Sequence, residues 1–352
     1  MTLGSLFDGA GTFPFAASAF GILPIWASEI EPFPIQVTQK RLPKMKHLGD
    51  ITKIDGSAIT PVDVITFGSP CQDLSVAGKR AGLDGERSGL FLEAIRIIKE
   101  MRRKTNGKYP RYAVWENVPG AFSSNKGEDF RTVLEEFCKI KDSTAVIPRP
   151  ANGGGRWRTA GLILADGYSI AWRVLDAQFW GVPQRRRRIF LVADFGGGSA
   201  GEILFEQDGL SRNFAESRKA WQATSSNGTD DFARTNHRIT SPIECVGFDP
   251  YNSALTGNVA ATLGTNCGFT TGRNAVIICK RESNQFKRII RRFTPLECCR
   301  LNGMPDWWCQ DLEQNDSAEY IMWGNGMALP CVLYVMQGIA KHLRKSLLEV
   351  MK

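Results

Sequence analysis

Apolar residues along the first 195 positions fall into short β-type runs separated by helical ones. Residues 3–7, 25–28, 62–67, 112–115, 168–175 and 188–193 read as strands, because β-branched and aromatic side chains cluster there between turn formers. Residues 90–103 place Leu90, Ala94, Ile97, Ile98 and Met101 on one helical face, and residues 130–140 do the same with Val133, Leu134 and Phe137. Strands alternating with helices predict an α/β fold with a mostly parallel sheet and crossover helices. Residues 148–161, with Gly153, Gly154 and Gly155, lack an apolar period and read as a mobile loop. Beyond Gly196-Gly197-Gly198 the periodicity weakens and polar, Gly and Asn residues multiply, so a smaller, irregular β-rich unit is expected. Within it, residues 224–236 read as a surface loop and 260–278 as strand-like pieces broken by Gly264, Gly268 and Gly272. Helical patterns return at 295–301 and at 329–348, the latter with Leu333, Met336, Ile339, Ala340 and Leu343 on one side. The resulting division is a domain at 1–195, a second at 196–320 and a segment at 321–352 that returns to the first.

Composition narrows the class. At 352 residues, 43% hydrophobic and 23% charged, the chain can bury a full core. No apolar run approaches the roughly 18 residues that span a bilayer. The first residues lack a basic and a long apolar segment of the signal-peptide kind, so a reducing, cytoplasmic location is expected. Nine cysteines spread from Cys71 to Cys331 without a C-x-x-C pair, and with only three histidines, predict free thiols and no metal. A net charge of +8 suits a polyanionic partner, although a soluble basic protein would show the same balance.

In an open α/β sheet, ligands gather at the carboxyl ends of strands. The first such turn is Phe7-Asp8-Gly9-Ala10-Gly11-Thr12-Phe13, whose glycines allow backbone amides to approach a ligand, with Glu29 after the next strand placed to accept from ribose hydroxyls. Pro14 stands where a G-x-G-x-x-G pattern needs its third glycine, which favours a mononucleotide-like ligand over a dinucleotide. The bland alternative is a tight turn without a ligand. The second strand end is Gly68-Ser69-Pro70-Cys71-Gln72, which presents Cys71 as a nucleophile, whereas Cys138, Cys245, Cys298, Cys299 and Cys331 read as core thiols. The third delivers Glu116, suited to give a proton or hydrogen bond to a substrate ring nitrogen, or to serve only as a capping carboxylate. Gln184-Arg185-Arg186-Arg187-Arg188 opens another strand. Arg186 and Arg188 share a face there and suit a base carbonyl and a phosphate, unless the run is a solvated surface.

Together these segments resemble the DNA cytosine-5 methyltransferase family. Phe7-Asp8-Gly9-Ala10-Gly11 looks like its donor turn, Gly68-Ser69-Pro70-Cys71-Gln72 its nucleophile loop, and Glu116-Asn117-Val118 its Glu-Asn-Val motif. Residues 184–188 look like its Gln-x-Arg-x-Arg segment, and residues 292–297, 303–305 and Gly324-Asn325-Gly326 like its later motifs. The resemblance implies a Rossmann-like S-adenosylmethionine-dependent domain with a mostly parallel sheet over 1–195, a target recognition domain over 196–320, and no metal. It implies that Cys71, Glu116, Arg186 and Arg188 are catalytic. It also implies a donor pocket of Phe7, Asp8, Gly9, Ala10, Gly11, Thr12, Glu29, Ile30, Asp50, Ile51, Pro70, Leu90, Asn325 and Met327. Cys71 would add to C6 of a flipped cytosine, Glu116 would act at N3 and Arg188 at O2, leaving 5-methylcytosine and S-adenosylhomocysteine.

Gln72, Ser75, Lys79, Arg80 and Arg87 are expected to close over double-stranded DNA, with Thr262 and Leu263 touching its backbone. The implied setting is the cytoplasm of a bacterium or phage-infected cell, as a nucleoid-associated monomer, either partnered by a restriction endonuclease, solitary, or protecting a mobile element. Ser5 stands where the family typically has aspartate, and Gly326 where it often has serine or alanine. The rivals are a tRNA cytosine-5 methyltransferase, whose Cys-Phe-Thr tripeptide is absent, a catalytically silent DNA-binding protein, and a nicotinamide enzyme.

Overall fold

The computed structural model describes residues 1–70, 89–150, 156–205, 245–249, 254–265, 275–282, 285–313 and 315–350. They divide into two compact units, one of Met1–Leu175, Arg188–Gly209 and Leu333–Lys352, the other of Asp176–Arg187 and Leu210–Val332.

The first unit opens with β1 (Thr2–Leu6), α1 (Thr12–Ala19), β2 (Leu23–Ser28), α2 (Pro32–Arg41), β3 (Lys46–His47) and β4 (Val64–Phe67). It continues with α3 (Leu90–Lys104), β5 (Tyr112–Asn117), α4 (Glu128–Cys138), β6 (Ala160–Ala165), β7 (Tyr168–Asp176), β8 (Arg187–Asp194) and α5 (Ala200–Leu204). The eight strands form one sheet in the order β3-β2-β1-β4-β5-β8-β7-β6. Parallel pairing runs from β3 to β5, while β8 is antiparallel to β5 and β6 to β7. The largely apolar makeup of β4 and β5, broken only by Thr66, Glu116 and Asn117, follows from this, since both are fully buried central strands. Crossover α3 buries Phe91, Ala94, Ile95, Ile97, Ile98 and Met101 and ends in Arg102, Arg103 and Lys104, where positive charge suits a helix carboxyl end. Phe67 stacks on Phe137 of α4 at 6.0 Å, and Trp115 meets Phe91 edge-on at 6.1 Å, joining both helices to the sheet.

The second unit holds β9 (Cys245–Asp249), β10 (Ala254–Gly257), β11 (Ala275–Glu282) and β12 (Gln285–Arg291), an antiparallel sheet in the order β10-β9-β11-β12. Then come α6 (Pro295–Leu301), α7 (Asp316–Asn325) and α8 (Leu329–Val350), the last beginning here and ending in the first unit. A capping box starts α6: the Thr294 hydroxyl accepts from the Glu297 amide and the Glu297 carboxylate accepts from the Thr294 amide. Among the described residues no helix is long and apolar enough to cross a membrane.

All six strands read from apolar pattern are present within about two residues of their expected ends, as are the helices at 90, 130, 295 and 329. Four helices escape that reading; one of them, α5, is only five residues long and too short to show a period. Helix α1 buries Thr12, Phe13, Pro14, Ala16 and Ala17, so too many of its sides are covered for a period to show, and α2 carries Pro32 and Pro34 in its first turn. Helix α7 is similarly weakly amphipathic, with buried Tyr320, Met322, Trp323 and Gly324 nearly consecutive. The loop expected at 148–161 is corrected at its end, where Ala160 and Gly161 already belong to β6. Gly161 is a packing residue there, because a Cβ would lie 2.1 Å from the Trp172 ring. Residues 224–236 lie outside the described residues.

One glycine holds the strand that leads into the first turn. The Trp26 indole covers Gly4, so a Cβ on Gly4 would fall 2.2 Å from the ring, and Trp26 is fixed by its own hydrogen bond from Nε1 to Thr60 O at 2.9 Å. Gly4→Ala is expected to cost about 2 kcal/mol or more through overpacking, measured as a shift in the urea unfolding midpoint.

Candidate active site

Parallel β1 and β4 are adjacent, with α1 returning to β2 on one side and α3 to β5 on the other, so strand order reverses between them. That reversal opens the ends of both strands to a ligand. After β4, Gly68-Ser69-Pro70 leaves the sheet and is gripped by the end of β5. Trp115 Nε1 donates to Ser69 Oγ at 3.1 Å and Asn117 Nδ2 donates to Ser69 O at 3.0 Å, all three groups being buried. A Cβ on Gly68 would sit 3.2 Å from Glu116 Oε2, so the glycine lets the turn pass close to that carboxyl group.

Strand β8 arrives antiparallel, pairing Glu116 with Phe190. Arg188, two residues before Phe190, is therefore the diagonal neighbour of Glu116 on the same face. Its Nε lies 3.0 Å from Glu116 Oε1, with side chains 13% and 9% exposed. A planar guanidinium beside a carboxyl group in a sheltered site can orient a planar heterocycle through hydrogen bonds. Cys71, Gln72, Ser75, Lys79, Arg80 and Arg87 lie outside the described residues; Pro70, the last described residue before them, is exposed.

The turn after β1 makes a second, adjoining group. Phe7, Gly9 and Gly11 have φ of 53°, 53° and 73°, a left-handed path that glycine follows without strain. Asp8 N donates to Ser28 O at 3.1 Å, Gly11 N to Asp8 O at 3.0 Å, and Gly9 N to Glu29 Oε2 at 2.7 Å, which pins the turn to the end of β2. The other Glu29 oxygen accepts from the amides of Ile30 and Glu31 at 2.8 and 3.0 Å. Asp50 caps a short 3-10 turn, Ile51–Lys53, and the two Thr52 donors hold its carboxyl below the usual range. Ile30 is 67% exposed, Ile51 is buried, and among the described residues no atom beyond the chain neighbours lies within 4 Å of a Cβ built on Gly9 or Gly49. Carboxylates, an exposed aliphatic side chain and open backbone around a glycine turn fit an adenosine-bearing ligand. Ala10 and Thr12 are buried behind the turn, and Leu90 begins α3 half-buried.

In the second unit the arginine run alternates, with Arg185 and Arg187 exposed and Arg186 buried. Arg186 reaches backbone carbonyls: Nη2 donates to Gly324 O at 2.8 Å and to Gly326 O, and Nη1 to Leu263 O at 3.3 Å. The turn carrying exposed Asn325 and buried Met327 is thus held by Arg186, whose guanidinium faces main-chain oxygens of its own unit. Gln184 Nε2 donates to Leu301 O at 3.1 Å and Asn302 Nδ2 to Trp323 O at 3.0 Å, tying the same turn to α6. Thr262 is exposed, with its hydroxyl donating to Arg185 O, and the Leu263 side chain is buried.

The family described as C-5 cytosine-specific DNA methylase matches residues 1–141 and 163–341, nearly the whole chain. The chain belongs to that family. Among curated relatives, the DNA N-6-adenine-methyltransferase of Escherichia phage P1 is 35% identical over 61% of the chain and 31% of its own length. Type II methyltransferase M1.ScrFI of Lactococcus lactis subsp. cremoris is 26% identical over 92% of the chain and 73% of its own. The chain spans about a third of the length of the first four curated relatives it matches. Among solved structures, S. pombe Dnmt2 methyltransferase superposes with a TM-score of 0.61 at 17% identity, covering 97% of the chain and 98% of its own. An E. coli prophage-encoded putative DNA modification methyltransferase gives 0.56 at 15%, covering 98% and 99%. The chain therefore has the α/β fold of these proteins.

Three contributors to this site were not singled out from pattern. Ser69 and Asn117 sit within the quoted motifs and Trp115 ends the expected strand at 112–115, but their mutual hydrogen bonds depend on β4 and β5 being neighbours, which spacing alone does not reveal. Arg186→Leu is expected to leave three carbonyls without their donor and to lower stability by about 3 kcal/mol or more, read by urea unfolding.

Proposed function

We propose that this methylase transfers a methyl group from S-adenosylmethionine to C5 of a cytosine flipped out of a specific double-stranded DNA sequence, with Cys71 as nucleophile. The observation that carries the reading is the Glu116–Arg188 pair at 3.0 Å beside a Gly68-Ser69-Pro70 turn locked by Trp115 and Asn117. Cys71 follows Pro70 directly in the chain. An Arg-braced carboxyl group matches the demands of a cytosine ring, whose N3 and O2 gather charge when C6 is attacked.

In this scheme the Cys71 thiolate forms the S–C6 bond, and the C5–C6 π electrons move to C5. Glu116 holds a proton at N3, and Arg188 stabilises charge at O2. When bound, S-adenosylmethionine supplies an electrophilic methyl group on a sulfonium sulfur. Loss of the C5 proton to a base then returns an electron pair to the C5–C6 bond and expels the thiolate. Phe7, Gly9, Gly11, Glu29, Ile30, Asp50, Ile51, Pro70 and Leu90 are assigned to the donor, with Asn325 and Met327 of the second unit. Arg186 is assigned a bracing role beneath Asn325 in place of direct contact with the base, because its guanidinium faces main-chain carbonyls.

Residues 1–195 are assigned catalysis and donor binding, 196–320 sequence readout, and 321–352 a return to the catalytic domain. Grouping of Leu333–Lys352 with Met1–Leu175 supports the return of the final segment from Leu333 onward. Lys79, Arg80 and Arg87 are assigned to DNA phosphates, in keeping with the net charge of +8. The protein is proposed to act as a monomer in the cytoplasm of a bacterium or phage-infected cell, and the type II relatives suggest a companion restriction endonuclease.

The name of the phage P1 relative favours a second reading, transfer to the exocyclic amine of adenine. That amine is itself the nucleophile and needs no thiol adduct. The experiment is expression in cells lacking DNA methylation, followed by mapping of 5-methylcytosine and 6-methyladenine and by assay of tRNA. One motif carrying 5-methylcytosine is expected. Cys71→Ser is expected to lower turnover by roughly 10³-fold or more, and Glu116→Gln by roughly 10²–10⁴-fold. Methyladenine alone, methylated tRNA without methylated DNA, or full turnover in Cys71→Ser overturns the proposal.

A further inference from the structure

Beneath the turn after β1 lies a small buried polar group that the transfer reaction does not use. Ser5 and Thr66 are register partners on β1 and β4, so their side chains lie side by side on one face of the sheet. Asp8 follows at the turn. Their exposures are 1%, 0% and 3%, and the Ser5 hydroxyl, the Thr66 hydroxyl and both Asp8 carboxyl oxygens have no hydrogen bond of ordinary geometry among the described residues. A buried carboxylate without donors is strongly disfavoured and takes up a proton instead. The neighbour that matters is Glu29, whose Oε2 holds the Gly9 amide at 2.7 Å, one residue from Asp8.

We propose that Asp8 is a positioning residue that works as a neutral acid beneath the donor turn, and that its ionisation repels Glu29, loosens the hold of Glu29 on Gly9 and weakens donor binding. This rests on the reading of residues 7–12 as the methyl-donor turn. Asp8 makes its own backbone bonds to Ser28 O and from Gly11 N, so a shift of its side chain is transmitted directly to the glycines that follow it. Burial, opposed by the nearby Ser5 hydroxyl and reinforced by Glu29, pushes the Asp8 carboxyl up to about 7. The surrounding elements add little else that titrates. Strand β4 contributes Thr66, and α1 has no ionisable side chain. His47 of β3 faces Glu29 and is held below its ordinary value by burial, hence neutral near pH 7, and Asp50 stays ionised.

The sign of the linkage is definite. A carboxyl group raised from 3.8 to about 7 gives the folded state more bound protons between those values, so its contribution to stability is fully present below 3.8, is lost as pH rises toward 7, and is level above. Asp8→Asn mimics the neutral acid and removes that dependence. The test uses the full chain, wild type, Asp8→Asn and Ser5→Ala, with two readouts: urea unfolding from pH 4 to 8.5, and calorimetric binding of S-adenosylhomocysteine, whose neutral sulfur avoids direct attraction of a sulfonium to Asp8. Wild type is expected to lose stability relative to Asp8→Asn up to pH 7 and hold level beyond. Its affinity should fall about tenfold between pH 6 and 8.5, about the effect of one unit of linked pKa change, while Asp8→Asn stays flat.

Ser5→Ala, lacking the hydroxyl that favours the ionised form, should move the wild-type fall to higher pH. A stability gap independent of pH overturns the neutral-acid assignment. A pH-dependent gap with equal, unchanging affinities overturns the positioning role. Absence of S-adenosylhomocysteine binding by wild type at every pH overturns the donor-turn reading and the role built on it, and the stability gap then still shows where the Asp8 proton resides.

Discussion

The first unit depends on one constraint: the buried main chain of β4 can satisfy its hydrogen bonds only against β1 on one side and β5 on the other. Parallel pairing brings the carboxyl ends of all three strands to the same edge. The turn bearing Gly9, the turn bearing Ser69 and the carboxyl group of Glu116 therefore emerge together, although they are far apart in the chain. Antiparallel β8 completes the arrangement, because only a strand running the opposite way delivers its amino end, with Arg188, to that edge.

Polar groups at that edge are arranged for orientation more than for stability. The Glu116–Arg188 pair is largely withdrawn from water, and such pairs roughly break even against desolvation while fixing geometry. Ser69 is held at both its hydroxyl and its carbonyl, which restricts the turn leading to Cys71. Asp8 follows the same physics in the opposite sense. Without a cation or a set of donors it is best accommodated as an uncharged acid, while Glu29 accepts three amides on its two oxygens nearby.

In the second unit a single guanidinium organises a glycine turn. Arg186 satisfies carbonyls of Gly324 and Gly326, so Asn325 between them is presented outward on a fixed main chain. Gly324 is required by space as well, since a Cβ there would lie 2.6 Å from the backbone of Gly264 and Thr265. An arginine in the middle of a basic run thus serves as internal scaffolding while Arg185 and Arg187 face solvent.

From residue order alone came the α/β class, the six main strands of the first unit, and the strand-end motifs containing Cys71, Glu116 and Arg188, because apolar runs and turn formers encode local structure directly. Helices α1, α2 and α7 were illegible, since burial on several sides or prolines erased their period, and Gly161 looked like a loop residue until the Trp172 ring was seen above it. The separate fates of Arg186 and Arg188 were equally hidden. Alternation put both on one face, but only tertiary structure set Arg188 against Glu116 and Arg186 against the carbonyls of Gly324 and Gly326. The burial that makes Asp8 a neutral acid was likewise decided by packing. Charge state depends on which neighbours and how much water surround a group, and spacing along a chain specifies neither.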